Sequence, residues 1–140
     1  MENNQITVVK EFTFDAAHRL PTHPGKCRNM HGHTYKLQVG VTGAPDDFGL
    51  VIDFAYIKDL INTKIIAMLD HKYLNDIPFA HFPAQHPTAE NMVLWMRDIL
   101  ATTWPAKDAG LLSSIPELTF IRLYETPTSY AEWRKSNGCE

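Results

Sequence analysis

The sequence predicts an α+β domain, a mostly antiparallel sheet with two helices packed on one face. Three observations predict it. Apolar and polar residues alternate over residues 7–18, 31–43 and 118–125, the period of a half-buried strand. Between the second and third of these stretches the apolar period twice becomes that of a helix. The resulting order (strand, strand, helix, helix, strand and a strand-like tail) keeps helices and strands apart in the chain.

In the first strand Val8, Phe12, Phe14 and Ala16 share one parity, and His18 falls in the same series. Residues 20–30, rich in Pro, Gly, His and basic side chains, read as a loop. Over 31–43, Tyr35, Leu37, Val39 and Val41 form one face, with Lys36, Gln38 and Thr42 on the other; His31 and His33 belong to the apolar series. Residues 44–48 make a turn and 50–52 a short extension. Asp53 reads as an N-cap, followed at helical spacing by Phe54, Ile57, Leu60, Ile61, Ile65, Met68 and Leu69. A loop over 75–86 carries Pro78 and Pro83 and runs on to Pro87. The second helix begins at Thr88, with Glu90 in its first turn and Val93, Met96, Ile99 and Leu100 on its buried face. In the last strand Ile121 and Leu123 share the parity of Glu125.

The 140 residues suffice for one hydrophobic core and are read as a single domain, 1–140. A composition of 44% hydrophobic and 21% charged residues is that of a soluble globular protein. The net charge of −3 and the scattered lysines and arginines exclude wholesale nucleic-acid binding. No apolar stretch reaches the roughly 18 residues that span a bilayer. The first residues lack the basic and apolar regions of a secretory signal. A cytoplasmic protein without membrane partners is therefore expected. In that reducing setting Cys27 and Cys139 are not expected to pair.

His31-Gly32-His33 puts two imidazoles on one face of a strand, and the glycine between them permits close approach of backbone or ligand. His18 arrives from another strand with inward parity. Three neutral imidazoles converging from two strands would hold zinc with a fourth position open, the arrangement of a catalytic metal. The bland alternative, three histidines with ordinary hydrogen bonds, must still satisfy ring nitrogens on an apolar face. Cys27 lies four residues before His31. It could be a fourth ligand closing the site, an inert thiol, or a reactive thiol favoured as thiolate by Lys26, Arg28 and the metal; the last is preferred. Asp70 beside His71 suggests a carboxylate-oriented proton donor. Glu125, directed inward, needs a cation or several donors; it could pair with an internal Arg or Lys, or grip a planar ligand edge offering two parallel N–H groups. His23, His81 and His86 are read as solvated loop histidines, and Lys26, Arg28, Lys72 and Arg122 as candidates to meet an anion.

Taken together, Phe14-Asp15-Ala16-Ala17-His18-Arg19-Leu20, Cys27-Arg28-Asn29-Met30-His31-Gly32-His33, Leu69-Asp70-His71, Pro87-Thr88-Ala89-Glu90-Asn91 and Glu125-Thr126-Pro127-Thr128-Ser129-Tyr130-Ala131 resemble the 6-pyruvoyltetrahydropterin synthase superfamily. The closest branch is 6-carboxy-5,6,7,8-tetrahydropterin synthase of queuosine biosynthesis. Three residues separate Cys27 from His31, the spacing of that branch; the pyruvoyl-forming branch has a longer gap, and a third branch lacks the cysteine or carries glutamate nearby. The resemblance implies a tunnelling fold whose subunits join their sheets into a barrel, a homohexamer of two trimers with intersubunit active sites. It implies Zn2+ on His18, His31 and His33, a catalytic thiol at Cys27, a proton relay at Asp70 and His71, and pterin binding by Glu125 with Thr126. The implied reaction converts 7,8-dihydroneopterin triphosphate to 6-carboxytetrahydropterin, releasing acetaldehyde and triphosphate. The loop over 77–87, with Phe79 and Phe82, is longer and more aromatic than usual in that family. Pyruvoyl formation and a non-catalytic zinc- or pterin-binding domain stay open as alternatives, whereas a zinc hydrolase lacks a helical His-Glu-x-x-His.

Overall fold

The computed structural model describes residues 4–77, 86–104 and 115–136. The two long alternating segments form β1 (Ile6–His18) and β2 (His31–Gly43), paired antiparallel along their whole length. β3 (Lys72–Tyr73) lies parallel to β1 against Ala16 and Ala17. It is absent from the sequence reading because two residues cannot display an alternation. β4 (Glu117–Thr126) pairs with β2, and β5 (Ser129–Arg134) supplies the strand-like tail. The sheet order is β3-β1-β2-β4-β5, antiparallel throughout except at β3. Phe79, His81, Phe82 and Cys139 lie outside the described residues, as do most of the 77–87 loop and any pairing of Cys27 with Cys139.

The predicted first helix is α1 (Phe54–Ile61), capped by the Asp53 carboxylate accepting the Ala55 N–H at 2.8 Å. It runs through a π-helical turn (Asn62–Ile66) into the short α2 (Ala67–Leu69). The wide turn has a reason in the sequence. Ile57, Ile61, Ile65 and Leu69 recur every four residues, and on a pure α-helix such a row drifts by about 40° per step. A turn with more residues takes up that drift, and all four side chains are fully buried. Phe54 and Met68, expected on the same face, fall off this row and are exposed by 49% and 44%. α3 (Ala89–Thr103) starts at Thr88, whose hydroxyl accepts the Asn91 N–H at 3.1 Å. It buries Met92, Val93, Trp95, Met96 and Leu100, with Ile99 only half-buried.

Between this helical layer and the sheet lie Phe12, Phe14 and Ala16 of β1, Tyr35, Leu37, Val39 and Val41 of β2, and Ile121 and Leu123 of β4. They are the inward-parity residues of each strand, so the period-2 pattern alone fixes which face carries the helices. Among the described residues no helix is long and apolar enough to cross a membrane.

The helix-free face has its own packing device. Register between β2 and β4 shifts at Gly40 and Val41, and the Phe120 ring lies over Gly40, where a Cβ would come within 2.1 Å of it. The Arg122 and Arg134 guanidinium groups cover that ring at 5.6 and 4.9 Å, both held by Glu132. Gly40→Ala is therefore expected to cost about 1–3 kcal/mol as overpacking, measured by denaturant unfolding. A variant as stable as the parent would show that Phe120 can leave the glycine freely.

Candidate metal centre and active site

Antiparallel register sets His18 directly opposite His31, and Ala16 opposite His33. Facing pairs and their diagonal neighbours on one sheet face lie within reach of aromatic side chains. The three imidazoles accordingly meet at the end of the β1–β2 ladder, with ring centroids 4.6, 5.1 and 4.8 Å apart. One nitrogen from each lies within 4.8 Å of the others, and the Nε2 atoms of His18 and His31 are 3.0 Å apart. Backbone carbonyls orient two of the rings. His18 Nδ1 donates to Pro87 O at 2.9 Å, and His31 Nδ1 to Asn29 O at 2.8 Å. With Nδ1–H so engaged, the neutral ring presents its Nε2 lone pair to the common point.

His33 Nε2 is buried without a hydrogen-bond partner; Glu125 Oε1 stands 3.5 Å away. Burial holds His18 and His33 below the ordinary imidazole value of 6.5, with neighbouring imidazoles acting in the same direction and the Glu125 charge against it. An orphaned nitrogen, two carbonyl-oriented rings and a preference for the neutral form are what a three-histidine cation site requires. Cys27 Sγ is not among the donor atoms gathered with the three imidazoles. Tyr35, the next inward residue of β2 after His33, is fully buried beside the cluster, its ring 5.6 Å from that of His33. Burial pushes its phenol far above the ordinary range, so it stays neutral.

Glu125 is half-buried near the end of β4 and, among the described residues, meets His33 rather than an internal Arg or Lys. It borders a groove of about 550 Å³ between α3 and β5, with Glu90, Tyr130 and Trp133. Thr126 ends β4, its hydroxyl accepting the Thr128 N–H at 3.3 Å in the β4–β5 turn. Asp70 leaves α2 in extended backbone and His71 follows at a φ of 60°. Their side chains meet at 3.0 Å between Asp70 Oδ1 and His71 Nδ1. The same carboxylate oxygen accepts the Asp15 N–H at 3.0 Å, while the His71 N–H donates to Asp15 O at 2.6 Å. The Asp15 N–H holds Asp70 below the usual carboxylate range, with His71 assisting. His33 and His71 both line a second depression, of about 560 Å³, together with Thr34 and Lys72. Cys27 stands in a 3₁₀ turn (Lys26–Arg28), half-buried, and lines neither cavity.

The structure thus gathers His18, His31, His33 and Glu125, and joins Asp70 to His71. Arg122, a candidate for meeting an anion, is committed to Glu132 at 2.7 Å and stacks on Tyr130. His23 and His86 bond within the loops, to the Gly25 N–H and the Thr22 hydroxyl. Sequence reasoning missed the two carbonyls that aim the rings, which no side-chain pattern can reveal. It also missed Asp15 as the anchor of Asp70, and Tyr35, although the inward parity of β2 did signal the latter.

A family model described as 6-pyruvoyl tetrahydropterin synthase matches residues 7–136. The chain is 31% identical over 145 residues to the 6-carboxy-5,6,7,8-tetrahydropterin synthase of Haemophilus influenzae, covering 91% of this chain and 98% of the relative. It is 34% identical over 131 residues to the Synechocystis protein of the same name, covering 90% and 91%. Among solved structures, Caenorhabditis elegans 6-pyruvoyl tetrahydropterin synthase superposes with a TM-score of 0.74 at 26% identity, covering 94% of this chain and 96% of that one.

Proposed function

The chain belongs to the 6-pyruvoyl tetrahydropterin synthase family, and from that premise we propose that it is a zinc-dependent lyase converting 7,8-dihydroneopterin triphosphate to 6-carboxy-5,6,7,8-tetrahydropterin. One water is consumed, acetaldehyde and triphosphate are the other products, and the pathway is that of queuosine and related 7-deazapurines in the cytoplasm. One observation carries the reading: three imidazole nitrogens face one point, with Glu125 3.5 Å from one of them at the edge of the groove between α3 and β5.

Each residue then has a task. His18, His31 and His33 hold zinc, which when bound polarises the substrate's side-chain oxygens and offsets negative charge developing there. The Glu125 carboxylate accepts two parallel N–H groups from the pterin's pyrimidine edge and so orients the ring, with Thr126 beside it. Cys27 as thiolate takes or returns a proton on one face of the side chain. His71, oriented by Asp70, serves the other. Because His71 is 78% exposed, a neighbouring subunit is suited to complete the site. β1 meets β3 only at Ala16 and Ala17, and β5 is the other edge of the sheet, so both edges suit joining sheets into the barrel of a homohexamer.

The test is product analysis of the purified protein with dihydroneopterin triphosphate by mass spectrometry. 6-Carboxytetrahydropterin with acetaldehyde supports the reading; a retained three-carbon side chain replaces it with pyruvoyl formation, and no turnover with a non-catalytic domain. In Glu125→Ala the substrate Kd is expected to rise by about 10–100-fold, the loss of charge-assisted hydrogen bonds, with zinc content unchanged. Loss of zinc in equal measure would contradict the ring-gripping role.

A further inference from the structure

β1 ends at His18, and its hydrogen-bond ladder is continued for one residue by a side chain. Asn75 Oδ1 accepts the Arg19 N–H at 2.9 Å, and Asn75 Nδ2 donates to Arg19 O at 2.9 Å. The carboxamide thus does for Arg19 what a facing peptide would do in a strand pair. From the residue so fixed, two bonds reach the loop over 20–30. Arg19 Nε donates to Arg28 O at 3.2 Å, and the next N–H, of Leu20, donates to Cys27 O at 2.7 Å. Two consecutive carbonyls, at Cys27 and Arg28, are therefore held from one dipeptide that directly follows a metal-site histidine.

We propose that Asn75 and Arg19 form a brace that places Cys27 relative to the histidine cluster, both acting as positioning residues. The proposal deepens the functional reading above and rests on it for the role of the thiol. Asn75 also belongs to the 3₁₀ turn (Leu74–Asp76) after β3, just beyond Asp70 and His71. Through it the stretch carrying the proposed relay and the loop carrying the thiol share one anchor, the backbone of Arg19.

The experiment compares Asn75→Ala and Arg19→Ala with the parent by kcat, KM, zinc content, Tm and the rate of iodoacetamide modification at Cys27, resolved from Cys139 by peptide mass mapping. Displacement of a reacting group by about 1 Å can cost up to about 100-fold, so kcat is expected to fall about tenfold or more in both variants. KM and zinc content are expected to stay within about twofold while Cys27 modification accelerates several-fold, because Asn75→Ala releases the Arg19 backbone and Arg19→Ala frees the Arg28 carbonyl next to Cys27. In Arg19→Lys, which keeps a donor on a long stem, the modification rate is expected to return toward that of the parent. Unchanged modification in Asn75→Ala overturns the brace, as does a loss confined to KM, which would make Arg19 a substrate contact. The modification rate needs no substrate, so it decides the brace even if dihydroneopterin triphosphate is not turned over, an outcome that would strike the functional reading alone.

Discussion

Replacing Cys27 by alanine is expected to lower kcat by about 10²–10⁴-fold, the range for loss of a positioned proton carrier. Zinc content, Tm and KM are expected to change little. The loop gives the reason for that selectivity. It is Cys27's carbonyl, not its thiol, that accepts the Leu20 N–H, and the 3₁₀ turn closes through the Arg28 and Asn29 N–H groups on the Gly25 and Lys26 carbonyls. Alanine keeps every one of these bonds. The thiol is also outside the group of three imidazole nitrogens, so its removal takes no donor from that cluster. Steady-state kinetics with elemental analysis on the same preparation is the measurement. Zinc lost along with the thiol would make Cys27 a fourth ligand, and activity within twofold of the parent would make it inert.

Most of the sheet was legible because one face is buried along its whole width. His18, His31 and His33 fall in the same parity series as Phe14, Tyr35 and Leu37, and antiparallel pairing of adjacent long strands then leaves few ways to keep them apart. Glu125 was legible by the same parity count from Ile121 and Leu123. The helix was less so. A four-residue apolar row suits either an α-helix with a drifting stripe or one widened by a π turn, and only packing against the sheet decides between them. Asp70 and His71 were found as neighbours in sequence. Their geometry depends on Asp15, 55 residues earlier, which sequence adjacency does not signal. The orienting carbonyls of Pro87 and Asn29 have no sequence signature, since every residue carries a carbonyl.

His31→Ala is expected to abolish stable zinc binding and, with it, turnover. Altering an outer partner of a metal ligand already costs about 10–100-fold, so loss of a direct ligand must cost more. His31 is half-buried, so truncation leaves a smaller void than it would at fully buried His18, and metal loss can be separated from unfolding by following Tm. The same site predicts a pH dependence whose sign is fixed. His18 and His33 bind protons less readily in the folded chain than the ordinary imidazole at 6.5. Below 6.5 the unfolded chain therefore carries more protons, and the stability of the metal-free protein falls as pH drops from 6.5 through the folded values of these two groups. Zinc, which needs neutral rings, is released in the same direction. Asp70 also favours its charged form on folding, but its contribution is complete above its unfolded value of 3.8 and is lost only as pH falls through its still lower folded value. Against the upward push of burial, Arg122 and Arg134 hold Glu132 below its ordinary value of 4.5, so its contribution likewise is lost only as pH falls toward and through that value. Thermal melts of the metal-free protein between about pH 5.5 and 7.5 therefore isolate the histidines. Tm values level across that range would mean that His18 and His33 titrate in the folded chain as they do in the unfolded one, and the cluster would lose its built-in preference for the neutral, metal-ready state.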